Sequence, residues 1–208
     1  MPDNRTIFGT DIESRVALFV DGQNLYSAAR SVDMQLDFSA IYDAVDSGSI
    51  LVRAHYYTPL AENDEFSPVR PLVDYLDYNG WTVSKYPVRE YTDGEGRRRL
   101  RSANVSVEMA VDALQMAQRI DHAVFFSGDN DILPIIKALK TQGIKVTVVS
   151  SQSSVADEIR RAADVVVLLE NIREKVGRKP SGTSQGFTPR RSSTSVVSGI
   201  RPRQTQTA

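Results

Sequence analysis

Short apolar runs alternate with segments of helical periodicity along most of this 208-residue chain, and this alternation limits the folds that it can adopt. The apolar runs have the length of buried strands: RVALFV (15–20), ILVRAHYYT (50–58), WTVSKYPV (81–88), HAVFFS (122–127), IKVTVVS (144–150) and VVVLL (165–169). Continuous apolar strands separated by helices are typical of a parallel sheet covered on both faces. The sequence therefore predicts an α/β domain with three layers, α/β/α, around a mainly parallel central sheet.

Helices are predicted between these strands, at residues 23–32, 38–46, 68–80, 104–118, 131–143 and 154–163. In the segment 104–118, helical spacing runs through Val107, Val111, Leu114 and Ala117, which predicts the buried face of that helix. The polar, turn-rich segment 89–103 has DGEG at its centre and predicts an exposed hairpin or loop.

Charge is distributed unevenly along the chain. Residues 173–208 contain eight basic residues and one acid, whereas residues 1–172 contain 17 basic and 25 acidic residues. We expect an N-terminal extension (1–14), one domain (15–172) and a basic, disordered tail (173–208) rich in Ser, Thr, Gly and Pro. The tail is either a solvated linker or a segment that binds nucleic acid through its charge.

Composition excludes several classes of protein. The chain has no cysteine, so disulfides, thiol catalysis and cysteine-ligated zinc are excluded. It has no apolar run near the roughly 20 residues needed to span a bilayer and no apolar signal segment near its start. We therefore expect a cytoplasmic protein with no membrane partner.

Acidic residues follow two of the predicted strands. Asp21 ends the first, and Asp129 and Asp131 follow HAVFFS in the segment SGDND. In open parallel sheets, ligands bind beyond the carboxyl ends of the strands, so these carboxylates should share one rim. Asp112, four residues after Glu108 on a predicted helix, is a further candidate. Clustered carboxylates repel each other unless a cation neutralises them, and oxygen ligands favour Mg²⁺ or Mn²⁺.

Each of these acids also has a purely structural interpretation. Asp129 or Asp131 could cap the following helix, Asp21 could form a turn with Gly22, and Glu108 with Asp112 could be a solvated stripe. A haloacid-dehalogenase-like phosphatase would need a second acid two residues after Asp21, where this chain has Gln23.

The segments ALFVDGQNLYSAA, NVSVEMAVDAL, FFSGDNDILPIIKALKTQGIKVTVV and IRRAADVVVLL resemble the NYN domain, and specifically its LabA-like bacterial subgroup, over roughly residues 15–170. The resemblance implies a PIN-like (Rossmann-like) fold and a metal-dependent endoribonuclease that hydrolyses RNA phosphodiester bonds with Mg²⁺ or Mn²⁺. It also implies that four aspartates, Asp21, Asp112, Asp129 and Asp131, hold the metal. Asn24 and Ser127 match further residues of the family pattern and would support water or phosphate.

The chain departs from the family pattern just before Asp112. Where related sequences commonly have lysine, glycine and aspartate, it has Ser102, Ala103 and Ser106. This departure favours an alternative function: a catalytically weak RNA-binding or scaffolding regulator, since LabA-like members are associated with circadian and transcriptional control. Protein partners and a homodimer are compatible with either function.

An acidic rim repels RNA, so the substrate must be bound by other residues. The segment 89–101 contains five arginines that could contact the phosphates of single-stranded RNA: Arg89, Arg97, Arg98, Arg99 and Arg101. The alternative is a solvated hairpin without a ligand.

Overall fold

The computed structural model describes residues 6–60, 67–86, 89–92, 94, 98–101 and 104–178, with the backbone alone at 89–92 and 98–101. Its central sheet has six parallel strands in the order β3-β2-β1-β6-β7-β8. These strands are β1 (Arg15–Asp21), β2 (Ile50–Pro59), β3 (Trp81–Tyr86), β6 (His122–Phe126), β7 (Lys145–Ser150) and β8 (Val165–Leu168). The predicted three-layer α/β architecture is confirmed, and this sheet is entirely parallel.

Helices cover both faces of the sheet. One face carries α1 (Gly22–Ser31), α2 (Phe38–Asp46), α3 (Arg70–Tyr78) and α7 (Leu169–Val176). The other carries α4 (Val105–Met116), α5 (Leu133–Thr141) and α6 (Asp157–Ala162). Side chains alternate along β1: Val16, Leu18 and Val20 pack in the first core, and Ala17 and Phe19 pack in the second. Two buried cores therefore hold the central strand in place.

The segment after β3 forms a separate antiparallel hairpin. Strands β4 (Arg89–Thr92) and β5 (Arg98–Arg101) pair with Arg89 opposite Arg101 and Thr92 opposite Arg98. The sequence left open whether this segment is a hairpin or a loop, and the backbone is a hairpin.

Residues outside the expected domain limits pack against the domain. Phe8 is fully buried in the first core, and the Thr147 hydroxyl donates a hydrogen bond to its carbonyl at 2.9 Å. At the other end, α7 was not predicted, and its buried Val176 lies beyond residue 172. The limits at 15 and 172 remain predictions.

The predicted buried face of α4 is wrong at three of its four positions. Val107, Val111 and Leu114 are exposed, whereas Met109, Ala113 and Ala117 are buried. The helix carries apolar residues on two faces, and periodicity alone does not distinguish which of them meets the sheet.

Across the described ranges, no helix combines the length and apolar character that a membrane span requires.

Candidate active site

The sheet changes direction between β1 and β6. From β1 the chain proceeds outward through β2 and β3, and from β6 it proceeds through β7 and β8 on the opposite side. The two strands are parallel neighbours, with Val20 opposite Phe126, so their carboxyl ends lie side by side. Such a switch point is where open α/β sheets bind ligands. The sequence-predicted acids after β1 and β6 flank it.

Asp21 ends β1 and begins α1. Its Oδ1 accepts hydrogen bonds from the backbone N–H groups of Gln23 (3.1 Å) and Asn24 (3.0 Å), which caps the helix. The side chain is nearly buried, and this burial raises the pKa of Asp21; the negative charge of Asp129 raises it further, against the two backbone bonds. Oδ2 receives no hydrogen bond from the described residues. Asp21 thus offers one carboxylate oxygen at the rim.

A side-chain bond joins the loops after β1 and β6. Asn24 Oδ1 accepts a hydrogen bond of 2.8 Å from the backbone N–H of Gly128, across 104 residues of sequence. Gly128 is closely surrounded: a Cβ added there would lie 2.4 Å from the Ser154 carbonyl oxygen. The position therefore requires glycine, and the bond fixes the SGD loop beside Asp21.

Within the SGD loop, the side chains stabilise its turn. The buried Ser127 Oγ accepts a hydrogen bond from the Asp129 N–H at 3.3 Å. Asp129 Oδ1 accepts one from the Asp131 N–H at 3.1 Å and caps the 3₁₀ turn Asn130–Ile132. Both Asp129 and Asp131 are exposed at the rim. Asp129 therefore has the capping role that the sequence left open between the two.

Asp112 reaches the same end of the sheet from α4. Its Oδ2 accepts a hydrogen bond of 2.8 Å from the Tyr57 hydroxyl, and His55 Nδ1 lies 3.8 Å from the same oxygen. Tyr57 is paired in register with Asp21 across β1 and β2, which places Asp112 near the end of β1. Burial raises the pKa of Tyr57 and lowers that of His55. The spacing of Asp112 from Glu108 did not reveal this contact with β2.

Asp21, Asp129 and Asp131 lack a Lys or Arg partner in the part of the chain described. No Lys or Arg there forms an ion pair with Asp21, Asp129 or Asp131. No group of three or more Asp, Glu, His or Cys side chains there is arranged to coordinate one ion. Mg²⁺ is commonly held by one or two carboxylates, with waters and substrate phosphate completing its shell. The neighbouring Asp21 and Asp129 fit this open type of site.

Two predicted features are only partly described. The hairpin backbone carries Arg89, Arg98, Arg99 and Arg101, but Arg97 and the side chains of the other four lie outside the described residues. Ser102 and Ala103 lie outside them as well. Ser106 is buried in the first turn of α4, and its N–H donates to Asn104 Oδ1 at 3.0 Å.

Sequence reasoning missed Tyr57 as a site residue. Tyr57 lies near the carboxyl end of β2, on the same rim as Asp21, and its hydroxyl is the only polar group of that ring. A tyrosine at the end of a buried strand was the available signal.

Comparison with known proteins agrees with this fold. The family model for the NYN domain matches residues 15–170. The chain belongs to the NYN domain family, whose PIN-like α/β domains are generally nucleases that use divalent metals.

Within this family the chain is LabA-like. It is 32% identical over 163 residues to Low amplitude and bright protein LabA of Synechococcus elongatus, covering 77% of this chain and 86% of that protein. It is 24% identical over 173 residues to an uncharacterized protein of Methanocaldococcus jannaschii, covering 80% of this chain and 62% of that protein, less than two thirds of its length. A protein of unknown function from Vibrio parahaemolyticus shares the fold, with a TM-score of 0.65, 20% identity, and coverage of 81% and 99%.

Proposed function

We propose that this protein is a Mg²⁺- or Mn²⁺-dependent ribonuclease that hydrolyses phosphodiester bonds of single-stranded RNA. The observation that carries the proposal is the juxtaposition of Asp21 and Asp129 at the β1–β6 switch point, with no cation from the described residues to neutralise them. Two repelling carboxylates, one of them nearly buried, are unfavourable without a cation. Their position therefore suits a divalent ion.

Each site residue has a distinct part in this proposal. Asp21 Oδ2 and the Asp129 carboxylate would hold the ion, while Asp112 and Asp131 add negative charge and bind its waters. Ser127 and Asn24 act on the backbone instead: their hydrogen bonds to Asp129 and Gly128 fix the loop that presents Asp129. The bound ion would supply an activated water and stabilise charge on the phosphate.

RNA binding is part of the same proposal. The exposed carboxylates repel a polyanion, so affinity must come from positive charge outside the rim. The β4–β5 hairpin carries four arginines in its paired strands, and β5 ends four residues before α4 begins. Phosphates bound by this hairpin would therefore enter the site next to the helix that bears Asp112. The basic residues 173–208 would add affinity that weakens with salt.

A second function is favoured by one observation. Ser106 stands where the resemblance to the family leads us to expect an aspartate, and it is buried in the first turn of α4, six residues before Asp112. A chain that keeps the fold and binds RNA without efficient cleavage would be a regulator, not a nuclease.

Cleavage of a fluorescently labelled single-stranded RNA in Mn²⁺ separates these functions. We expect cleavage by the wild-type protein and a cleavage rate lower by about 100-fold or more in Asp129→Asn. Removing a metal ligand should cost at least as much activity as removing a group that orients such a ligand. Asp37→Asn is the control, since Asp37 is also a capping aspartate, which accepts two backbone hydrogen bonds at the start of α2, away from the site.

Cleavage that is equal in the wild type and Asp129→Asn, or absent from both, would exclude the nuclease function. RNA binding without cleavage would support the regulator.

A further inference from the structure

Tyr57 is held firmly beside the candidate site. It is fully buried near the end of β2, and its ring stacks between His55 (centroids 5.9 Å apart, planes 13° apart) and Tyr86 (6.5 Å, 11°). The stack continues through His55 to Phe19 of β1, at 5.4 Å and 5°. Parallel rings on three adjacent strands leave the Tyr57 ring little freedom to rotate. The position of its hydroxyl is therefore fixed by the sheet.

That hydroxyl holds one oxygen of Asp112. The hydrogen bond from Tyr57 Oη to Asp112 Oδ2 is 2.8 Å long, and it is charge-assisted because the acceptor is a carboxylate. His55 lies beside the same carboxylate: its Nε2 contacts the Met116 sulfur at 3.3 Å, and its buried Nδ1, which has no hydrogen-bond partner among the described residues, is 3.8 Å from Oδ2. Oδ1 of Asp112 receives no hydrogen bond from the described residues.

We infer that Tyr57 is a positioning residue of the proposed metal site, and that its hydroxyl fixes Asp112 by Oδ2 so that Oδ1 faces the ion or its bound water. This inference rests on the proposed function. Tyr57 touches neither ion nor RNA; it acts through Asp112, much as the groups behind metal ligands orient those ligands.

The register of the sheet explains why a residue of β2 has this role. Tyr57 pairs with Asp21, so the hydroxyl that fixes Asp112 and the first carboxylate of the site belong to neighbouring strands. Asp112 itself is on a helix, and its side chain is about one-third exposed. Without the Tyr57 hydroxyl, the Asp112 side chain would be free to turn into solvent. The site would then lose an ordered carboxylate oxygen but would keep the negative charge.

The test is Tyr57→Phe in the full chain, which removes the hydroxyl and keeps the ring stack. We expect the dissociation constant for Mn²⁺, measured by titration calorimetry without RNA, to rise about 10- to 100-fold. The cleavage rate at limiting Mn²⁺ should fall by a similar factor and recover in part at high Mn²⁺, while KM for RNA stays unchanged. Tyr86→Phe is the matched control: it removes a hydroxyl from the next ring of the stack, whereas the described hydrogen bond to Asp112 comes from Tyr57.

A double-mutant cycle with Asp112→Asn shows whether the effect passes through Asp112. In the Asp112→Asn background, Tyr57→Phe should have no further effect on Mn²⁺ affinity. An equal loss in both backgrounds would mean a general packing effect and would overturn the inference. Unchanged affinity in Tyr57→Phe, with a loss in Asp112→Asn, would also overturn it while the proposed function stands.

If the wild-type protein neither binds Mn²⁺ nor cleaves RNA, the proposed function itself fails, which is a separate result. Urea unfolding of both phenylalanine variants shows whether they are folded. If Tyr57→Phe is not folded, Asp112→Glu provides the same test, because this substitution keeps the negative charge and moves the carboxylate past the Tyr57 hydroxyl. The same weakening of Mn²⁺ binding would support the inference, and unchanged binding would overturn it.

Discussion

Asp21 has two roles with opposite effects on stability. As the N-cap of α1 it satisfies two backbone N–H groups, which typically contributes about 1 kcal/mol. As a nearly buried charge beside Asp129 it is unfavourable, and the raised pKa of Asp21 reflects that environment. An asparagine keeps the cap and removes the charge. The aspartate at this position therefore suits binding of a cation better than it suits folding.

We predict that Asp21→Asn raises the free energy of unfolding by about 1 kcal/mol at pH 7 in the presence of a chelator. Because the pKa of Asp21 is higher in the folded state than in the unfolded state, the difference should vanish as the carboxyl becomes protonated at lower pH. Urea unfolding at several pH values measures this.

Asp37→Asn serves as the control for Asp21→Asn. It changes an equivalent cap on α2, and we expect a change within about 0.5 kcal/mol. A loss of stability in Asp21→Asn as large as in Asp37→Asn would contradict the prediction. At saturating Mn²⁺ the wild type should instead be more stable than Asp21→Asn. A ligand at 100 times its dissociation constant stabilises the protein that binds it by about 2.7 kcal/mol.

At the scale of elements, α4 shows what periodicity conveys and what it does not. The pattern predicted the helix with nearly correct ends, because helical spacing appears in any amphipathic segment. It predicted the wrong buried face, because Met109 and Ala113 have the same spacing as Val107 and Val111. The observed orientation also brings Asp112 to Tyr57, a contact between residues 55 positions apart. Local patterning does not encode such a contact.

We predict that Leu114→Gln changes the free energy of unfolding by less than about 0.5 kcal/mol, because Leu114 is 45% exposed. Met109→Ala, on the buried face of the same helix, should cost about 2–5 kcal/mol through the cavity that it leaves. Urea unfolding of both variants, with their mass in solution, provides the comparison. A loss near 2 kcal/mol or more in Leu114→Gln would show that this face is covered in solution.

At the scale of the whole molecule, the strands and the rim were predictable and the strand order was not. Apolar runs mark buried strands, and the rule for parallel sheets places Asp21 and Asp129 at one edge. Nothing in the periodicity indicates that β1 lies between β2 and β6, because local burial does not specify a neighbour. The same reason explains why Tyr57 was missed. Its importance depends on the register between β1 and β2 and on the position of a helix that follows much later in the chain.

The far end of the β1–β6 pair carries an ionic contact that should govern part of the acid stability. Arg15 donates two side-chain hydrogen bonds to Asp121, at 3.0 and 2.7 Å, and its backbone N–H donates a third at 2.9 Å. The Arg15 guanidinium lowers the pKa of Asp121 to about 2. A lowered folded-state pKa contributes stability above the unfolded value near 4, and this contribution is lost as pH falls through about 2.

We predict that Asp121→Asn destabilises the protein equally at pH 7 and pH 5, and that the difference from wild type shrinks between pH 4 and pH 2. Both partners are about half exposed, so the effect should be modest and weaken with salt. Asp77→Asn is the control, because Asp77 accepts a single side-chain hydrogen bond, from Lys85, which is close to it in sequence. Urea unfolding across this pH range measures the effect, and a difference independent of pH would argue against it.

The central position of β1 also determines when the site can exist during synthesis on the ribosome. One edge of β1 pairs with β2, which follows within a few dozen residues, but its other edge pairs with β6, at residues 122–126. At about 5–20 residues per second, the apolar edge VALFV waits roughly 5–20 s for its second partner. The bond between Asn24 and Gly128 cannot form earlier, since 104 residues separate them. A nascent chain therefore cannot assemble the proposed metal site before residue 128 has been made, and during that interval the open edge of β1 most needs protection.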